Sequence, residues 1–261
     1  MASFHLAEAL FFRSCELKQP GDVKHAIKYL RYLQDRSLET SAVTRSDIKA
    51  YLACALAIQV KLESVDPMRD IGEALTLCRK LLTSGVSEPL LIHTVKALAN
   101  AIYTTAVPLG QTLPDDAMEC LREARIRLPE LKQVRFALAC SLLTRFSWDH
   151  SLDDYEEAMS IADEIIADPN ENVEDAKYLA GMLAQHRFFF ESKPEYLAEA
   201  IFRVRIHLNA MSPESPLRGV VTEVLAVFGK TRFEEFGVGS GWKEDNAEDS
   251  RTNPAPLYVR R

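Results

Sequence analysis

The sequence lacks a long apolar run. Its longest uncharged apolar segment, residues 50–60, lies between Lys49 and Lys61 and is well short of the roughly 18 residues that a membrane-spanning helix needs. The N-terminus has no lysine or arginine ahead of its apolar part, and Glu8 interrupts that part, which is untypical of a secretory signal. We therefore expect a cytoplasmic protein that has no membrane partner.

An excess of basic residues is also absent. The chain has 38 aspartate and glutamate residues against 31 lysine and arginine residues, which gives a net charge of -7. Proteins that bind nucleic acid or anionic lipid present a basic face that neutralises phosphates. We therefore expect no nucleic-acid partner.

The cysteines lack the spacing of a metal site or a redox pair. No two of the five form a CxxC motif, so zinc binding has little support, and we expect neither a metal nor a cofactor. Each cysteine falls in an apolar helical pattern, where a reduced thiol behaves as a small buried hydrophobic group. The predicted core thiols are Cys15, Cys54, Cys78, Cys120 and Cys140.

Glycine and proline are sparse, at 10 and 12 residues, and no long alternation of apolar and polar residues predicts a strand. Apolar residues instead recur at spacings of three and four, which is typical of amphipathic helices. The sequence therefore predicts an all-α fold of eleven helices, with the fifth over residues 88–107, the ninth starting near residue 171 and the eleventh near residue 213. Residues expected to cap helix starts are Asp66, Ser87, Ser151 with Asp154, Asp168 and Ser212.

An internal repeat organises the chain. A Leu-Ala pair, followed by an aliphatic residue four positions after the leucine, recurs at intervals of 40–46 residues. A second alanine lies 18–21 residues after the alanine of each of the first five pairs. The pairs begin at Leu6, Leu52, Leu98, Leu138 and Leu179, with a weaker copy at Leu225, and the second alanines are Ala26, Ala74, Ala117, Ala158 and Ala200.

Two alanines that recur together at a nearly constant separation predict helical hairpins, because alanine lets two antiparallel helices approach closely. We expect residues 1–236 to form one repeat domain of about five hairpins and a C-terminal capping helix. Residues 237–261 are polar and glycine-rich and have no periodic apolar face, so we expect a disordered tail. The N-terminal helix has no cap before it, which leaves self-association through that end open.

Leu-Ala in the first helix and alanine in the second resemble the tetratricopeptide repeat (TPR) superfamily. The resemblance covers residues 3 to about 235 and implies a right-handed α-α superhelix. These units are longer than the 34-residue TPR unit. They are similar to the longer repeats of fungal TPR-like proteins, where such arrays often precede a CHAT protease domain or belong to signalling proteins.

The resemblance also implies a binding groove, because the first helices of a TPR-like superhelix line its concave face. Lys96 with Asn100 matches part of the family's carboxylate clamp, but Ala137 and Glu174 stand where the clamp needs asparagine and lysine. A solvated helix face is therefore the better interpretation of Lys96 and Asn100. The candidate groove positions are His93, Lys96, Asn100, Tyr103, Gln133, Lys177 and Gln185.

Catalytic motifs are weak. Gly229, Lys230 and Thr231 end like a P-loop, but Val224 stands where that motif needs glycine, and no strand precedes it. The six histidines include no HExxH pair. The sequence therefore predicts a non-enzymatic scaffold that binds a peptide or partner protein.

Two alternatives remain open. One is an enzyme or small-molecule binder with a pocket inside the superhelix, around His93 and Tyr103. The other is a free-standing regulatory relative of fungal CHAT or signalling proteins, which would differ in its partner. In either case we expect at least two of Phe188, Phe189 and Phe190 to belong to the core.

Overall fold

The computed structural model describes residues 2–35, 44–84, 86–168, 174–215 and 218–236. Over these residues it contains eleven α-helices, one π-helix and no strand, which confirms the predicted all-α class. None of the helices within these ranges has the length and apolar character that crossing a membrane requires. The predicted tail, residues 237–261, lies outside the described residues. The helices are α1 (Ala2–Leu17), α2 (Pro20–Asp35), α3 (Arg45–Glu63), α4 (Pro67–Leu82), α5 (Glu88–Ala101), α6 (Asp115–Arg127), α7 (Lys132–Asp149), α8 (Leu152–Ala167), α9 (Glu174–Glu191), α10 (Pro194–Ala210) and α11 (Arg218–Phe236), and the π-helix is Ile102–Ala106.

Polar side chains define several helix starts. Thr44 and Asp47 form a full capping box at α3, where the Thr44 hydroxyl accepts the Asp47 N–H at 3.1 Å and the Asp47 carboxylate accepts the Thr44 N–H at 2.9 Å. Asp66 accepts the Arg69 N–H at 3.1 Å and caps α4 as predicted. Such bonds satisfy backbone donors that the first helical turn leaves without partners.

The other residues predicted to cap helix starts do not all make capping hydrogen bonds. Ser151 accepts the Asp154 N–H at the start of α8. Ser87 occupies the N-cap position of α5, but its hydroxyl makes no capping bond. Ser212 is wrong as an N-cap, because a turn and not a helix follows it at residues 213–214. Asp168 is the C-cap of α8, and residues 169–173, where it would cap the ninth helix, lie outside the described residues.

The chain divides into two compact units, Met1–Trp148 and Asp149–Arg261. In the first unit α1 packs on α2, α2 on α3, and α3 on α4, so consecutive helices are neighbours. The odd-numbered helices α1, α3 and α5 also contact one another in order, as α4 contacts α6. Helices α1, α3 and α5 therefore form one layer, and α2 and α4 pack against it.

The repeated alanines lie inside these contacts. In the first unit all the marker alanines are buried, as are Leu52, Leu98 and Leu138. Leu6 is the exception, with 45% of its surface exposed. The marker alanines of this unit are Ala7, Ala26, Ala53, Ala74, Ala99, Ala117 and Ala139.

The second unit contains α8 to α11, each packed on the next. Gly181 on α9 lies against α10 so closely that a Cβ atom there would stand 2.9 Å from Val204 Cγ2. Ala226, the alanine of the weak sixth copy, is exposed on α11. The sixth copy is therefore not a packing marker like the others.

Three expectations need correction. The fifth helix is α-helical only to Ala101 and continues as the π-helix. Only Phe188 of the three consecutive phenylalanines is buried, whereas Phe189 and Phe190 are exposed and Phe190 stacks on His150 with ring centroids 4.4 Å apart. Four of the cysteines are buried, but Cys15 is exposed.

Candidate functional site

An open groove of about 510 Å³ lies on the layer formed by α1, α3 and α5. Residues three or four apart share one face of a helix, so each helix supplies a short row of side chains. Helix α1 contributes four of the lining residues and α3 contributes two. The remaining lining residues lie at the N-cap and in the first turns of α5. The lining residues are Phe4, Glu8, Phe11, Phe12, Asp47, Tyr51, Ser87, Pro89, Leu90 and His93.

Tyr51 organises the aromatic part of the groove. Its ring meets those of Phe4, Phe11 and Phe12 edge to face, with centroids 5.5, 5.7 and 6.3 Å apart and interplanar angles of 84°, 85° and 82°. Edge-to-face pairs are favourable because the positive edge of one ring meets the negative face of another. Phe11 is only 1% exposed and forms the floor, while Phe12 is 49% exposed and available to a partner.

Two carboxylates are held in the same groove. The Tyr51 hydroxyl donates to Glu8 Oε1 at 2.7 Å, and His5 Nδ1 lies 3.5 Å from Glu8 Oε2. Burial, and then the Glu8 carboxylate, raise the pKa of Tyr51, so its phenol stays protonated and keeps donating. Asp47 is held by the Thr44 N–H and hydroxyl, the latter at 2.8 Å. Both negative charges therefore have defined positions.

His93 connects this groove to a second depression of about 410 Å³. The His93 ring lies edge-on to Phe11 at 6.2 Å. Glu88, Pro89, Ile92 and Lys96 complete the second depression. The structure thus brings together two of the predicted groove residues, His93 and Lys96, and both are exposed.

The other predicted positions lie elsewhere. Neither depression is lined by Asn100, Tyr103 or Gln133. Asn100 and Gln133 are half-buried, and the Tyr103 ring packs edge-on against Phe136 at 4.8 Å. Lys177 and Gln185 are half-buried residues of α9 in the second unit, and Gln185 Oε1 is buried without a hydrogen-bond partner among the described residues.

The contributions of α1 and α3 were not predicted from the sequence, although some of their residues share the repeat offsets of the predicted groove positions. His93, Lys96, Asn100 and Tyr103 lie five and two residues before, and two and five residues after, Leu98. The same offsets from Leu6 give Phe4, Glu8 and Phe11, and the first offset from Leu52 gives Asp47. Each of these four lines the groove, whereas the other offsets from Leu52 give Ala50, Cys54 and Ala57, which are buried and do not line it.

Within the described ranges, no cluster of three or more histidine, cysteine, aspartate or glutamate residues is placed to hold a metal ion. Comparison of the chain with known protein families, with curated proteins and with solved structures gives no match.

Proposed function

We propose that this protein is a non-enzymatic scaffold of TPR-like helical hairpins that binds a peptide or partner protein in the groove on α1, α3 and α5. The observation that carries the proposal is the open groove in the layer of first helices, where the exposed Phe12 ring packs on the half-buried Tyr51. We also propose that the hairpins wind as a right-handed α-α superhelix. The alternation of two helical layers in the first unit supports this arrangement.

The lining of the groove suits recognition of a macromolecule. Concave sites that bind ligands are mostly apolar, with a few placed polar groups that set orientation. Here phenylalanine, proline and leucine side chains supply the apolar area, and Glu8, Asp47 and His93 supply the polar groups. An open channel along helices accepts a helix or an extended segment of a partner.

The groove is also preorganised. The rings around Tyr51 pack against one another, and both carboxylates are held by hydrogen bonds within the chain. Binding to such a surface costs less conformational entropy than binding that must first order the side chains. A short segment could therefore bind with useful affinity.

The test is selection from a random dodecapeptide display library on the purified full chain, followed by affinity measurements on the wild type and on Phe12→Ser. We expect Phe12→Ser to weaken the selected peptides by roughly tenfold or more, since an exposed aromatic anchor is a typical hot spot. Leu6→Ser is the matched control, because Leu6 is similarly exposed on α1 but does not line the groove. Peptides that bind both variants equally would contradict the proposal.

A further inference from the structure

The groove on α1, α3 and α5 has a negative charge. Among its lining residues, all within the described part of the chain, Glu8 and Asp47 are the side chains that are charged at neutral pH when histidine is neutral. Glu8 lies between Phe4, Phe11 and Phe12 along α1 and is held there by Tyr51. A carboxylate therefore lies within the aromatic surface of the groove.

This charge restricts what can cover the aromatic rings. A purely apolar occupant would remove water from Glu8 without replacing its interactions, and an unpaired carboxylate in an apolar setting is costly. The contacts with Tyr51 and His5 use two of the roughly four acceptor sites of the carboxylate, so capacity for further donors remains. A favourable occupant must therefore bring a cation as well as apolar area.

Arginine satisfies both demands better than lysine. Its planar guanidinium can lie on an aromatic face and donate two parallel hydrogen bonds to one carboxylate, whereas lysine is a compact and strongly hydrated charge. The second unit contains a related arrangement with a single hydrogen bond to the carboxylate: Arg187 lies 4.6 Å from the Tyr155 ring and 4.2 Å from the Tyr196 ring, and its Nε donates to Glu191 at 3.0 Å. Aromatic rings with a glutamate thus hold an arginine within this fold.

From these observations we propose that the groove binds a peptide segment in which an arginine stands next to a large apolar residue. The arginine pairs with the Glu8 carboxylate beside Tyr51 and Phe12, and Asp47 adds to the negative field. The apolar neighbour covers Phe12 and the Pro89–Leu90 side of the groove. This inference rests on the proposed function and adds the chemistry of the partner.

The test uses dodecapeptides selected from the random library on the full chain. We expect arginine next to a leucine, isoleucine, phenylalanine or tryptophan to be enriched in them. In a synthetic peptide of this kind, arginine→glutamine should weaken binding to the wild type about tenfold or more, and arginine→lysine should weaken it less. On Glu8→Gln the arginine→glutamine change should have little further effect, because the two changes remove one interaction.

Glu16→Gln is the matched control on α1, since Glu16 is exposed and lies outside the groove lining, and it should bind as the wild type does. The peptide substitutions alone test the inference if Glu8→Gln does not fold. One contrary outcome is a set of selected peptides that bind Phe12→Ser more weakly than the wild type and yet contain no arginine, or bind equally well when their arginine is replaced. Such peptides would overturn the arginine inference and leave the proposed function standing. A library that yields no peptide sensitive to Phe12→Ser overturns both.

Discussion

At the scale of single residues, Tyr51 connects the packing of the first unit to its charge. It contacts three phenylalanine rings and donates its hydroxyl proton to Glu8. Tyr51→Phe keeps the ring contacts and leaves the half-buried Glu8 carboxylate without this donor. We expect the free energy of unfolding, measured by denaturant titration, to fall by roughly 1 kcal/mol.

Glu8→Gln should lower the free energy of unfolding less than Tyr51→Phe does, because the amide oxygen of glutamine can accept the same hydrogen bond. Equal stability of Tyr51→Phe and the wild type would show that the hydroxyl bond contributes nothing. The comparison also establishes whether Glu8→Gln is folded for use in the peptide experiments.

A second residue-scale prediction concerns Gly181. Alanine raises helix propensity by about 1 kcal/mol over glycine, but here its Cβ would stand 2.9 Å from Val204 Cγ2, and overpacking costs about 1–3 kcal/mol. The steric cost is the larger of the two, so we expect Gly181→Ala to lower the free energy of unfolding by roughly 1 kcal/mol. Gly181→Ala combined with Val204→Ala should lose the clash, although the smaller residue at 204 carries its own cost.

Gly229→Ala on α11 is the matched control for Gly181→Ala, because nothing lies within 4 Å of a Cβ at Gly229. It should leave stability unchanged or raise it by up to about 1 kcal/mol. Similar stabilisation by both alanines would refute the close approach of α9 to α10.

At the scale of helices, the capping box of α3 sets where that helix begins. Thr44→Ala removes the hydroxyl that accepts the Asp47 N–H, and the loss of a capping side chain typically costs about 1 kcal/mol. Denaturant unfolding followed by circular dichroism should show a loss of this size. Ser87→Ala, at an N-cap whose hydroxyl makes no capping bond, should have a smaller effect. The capping role would be contradicted by the opposite order.

The helices also show how far local sequence information reaches. Alanine spacing and apolar periodicity predicted all eleven helices, because both are properties of a single helix and its hairpin partner. The missed features depend on other elements. The π-helix after Ala101, the exposure of Phe189 and Phe190, and the exposed Cys15 each depend on which neighbouring helix covers a given face.

At the scale of the whole molecule, stability should depend on pH through His186. Burial, and then the charge of His150, lower the pKa of His186 in the folded chain. The unfolded chain therefore takes up a proton near the ordinary pKa of about 6.5, whereas the folded chain does so only at lower pH. The contribution of His186 to the free energy of unfolding should accordingly be fully present above that ordinary pKa, and it should be lost as the pH drops from about 7 to 5.

His186→Gln should flatten this dependence in thermal melts between pH 5 and 7, and His25→Gln, at an exposed position of α2, should retain it. The lowered pKa values of Asp22, caused mainly by Arg13, and of Glu191, caused mainly by Lys193, act in another window. Their stabilisation is present above the ordinary carboxyl pKa of about 4 and is lost at lower pH. If the melting temperature of His186→Gln changed with pH between 5 and 7 as that of the wild type does, His186 would be excluded as the cause of this pH dependence.

The helical class and the placement of the helices along the chain follow from the sequence alone, because they depend on spacing along one chain segment. The groove required the tertiary structure. Its lining comes from α1, α3 and α5, which are separated by other helices in the chain, and only their packing places Glu8, Tyr51 and His93 around one space. Periodicity shows which face of a helix is apolar, but the packing of neighbouring helices determines which part of that face stays open to a partner.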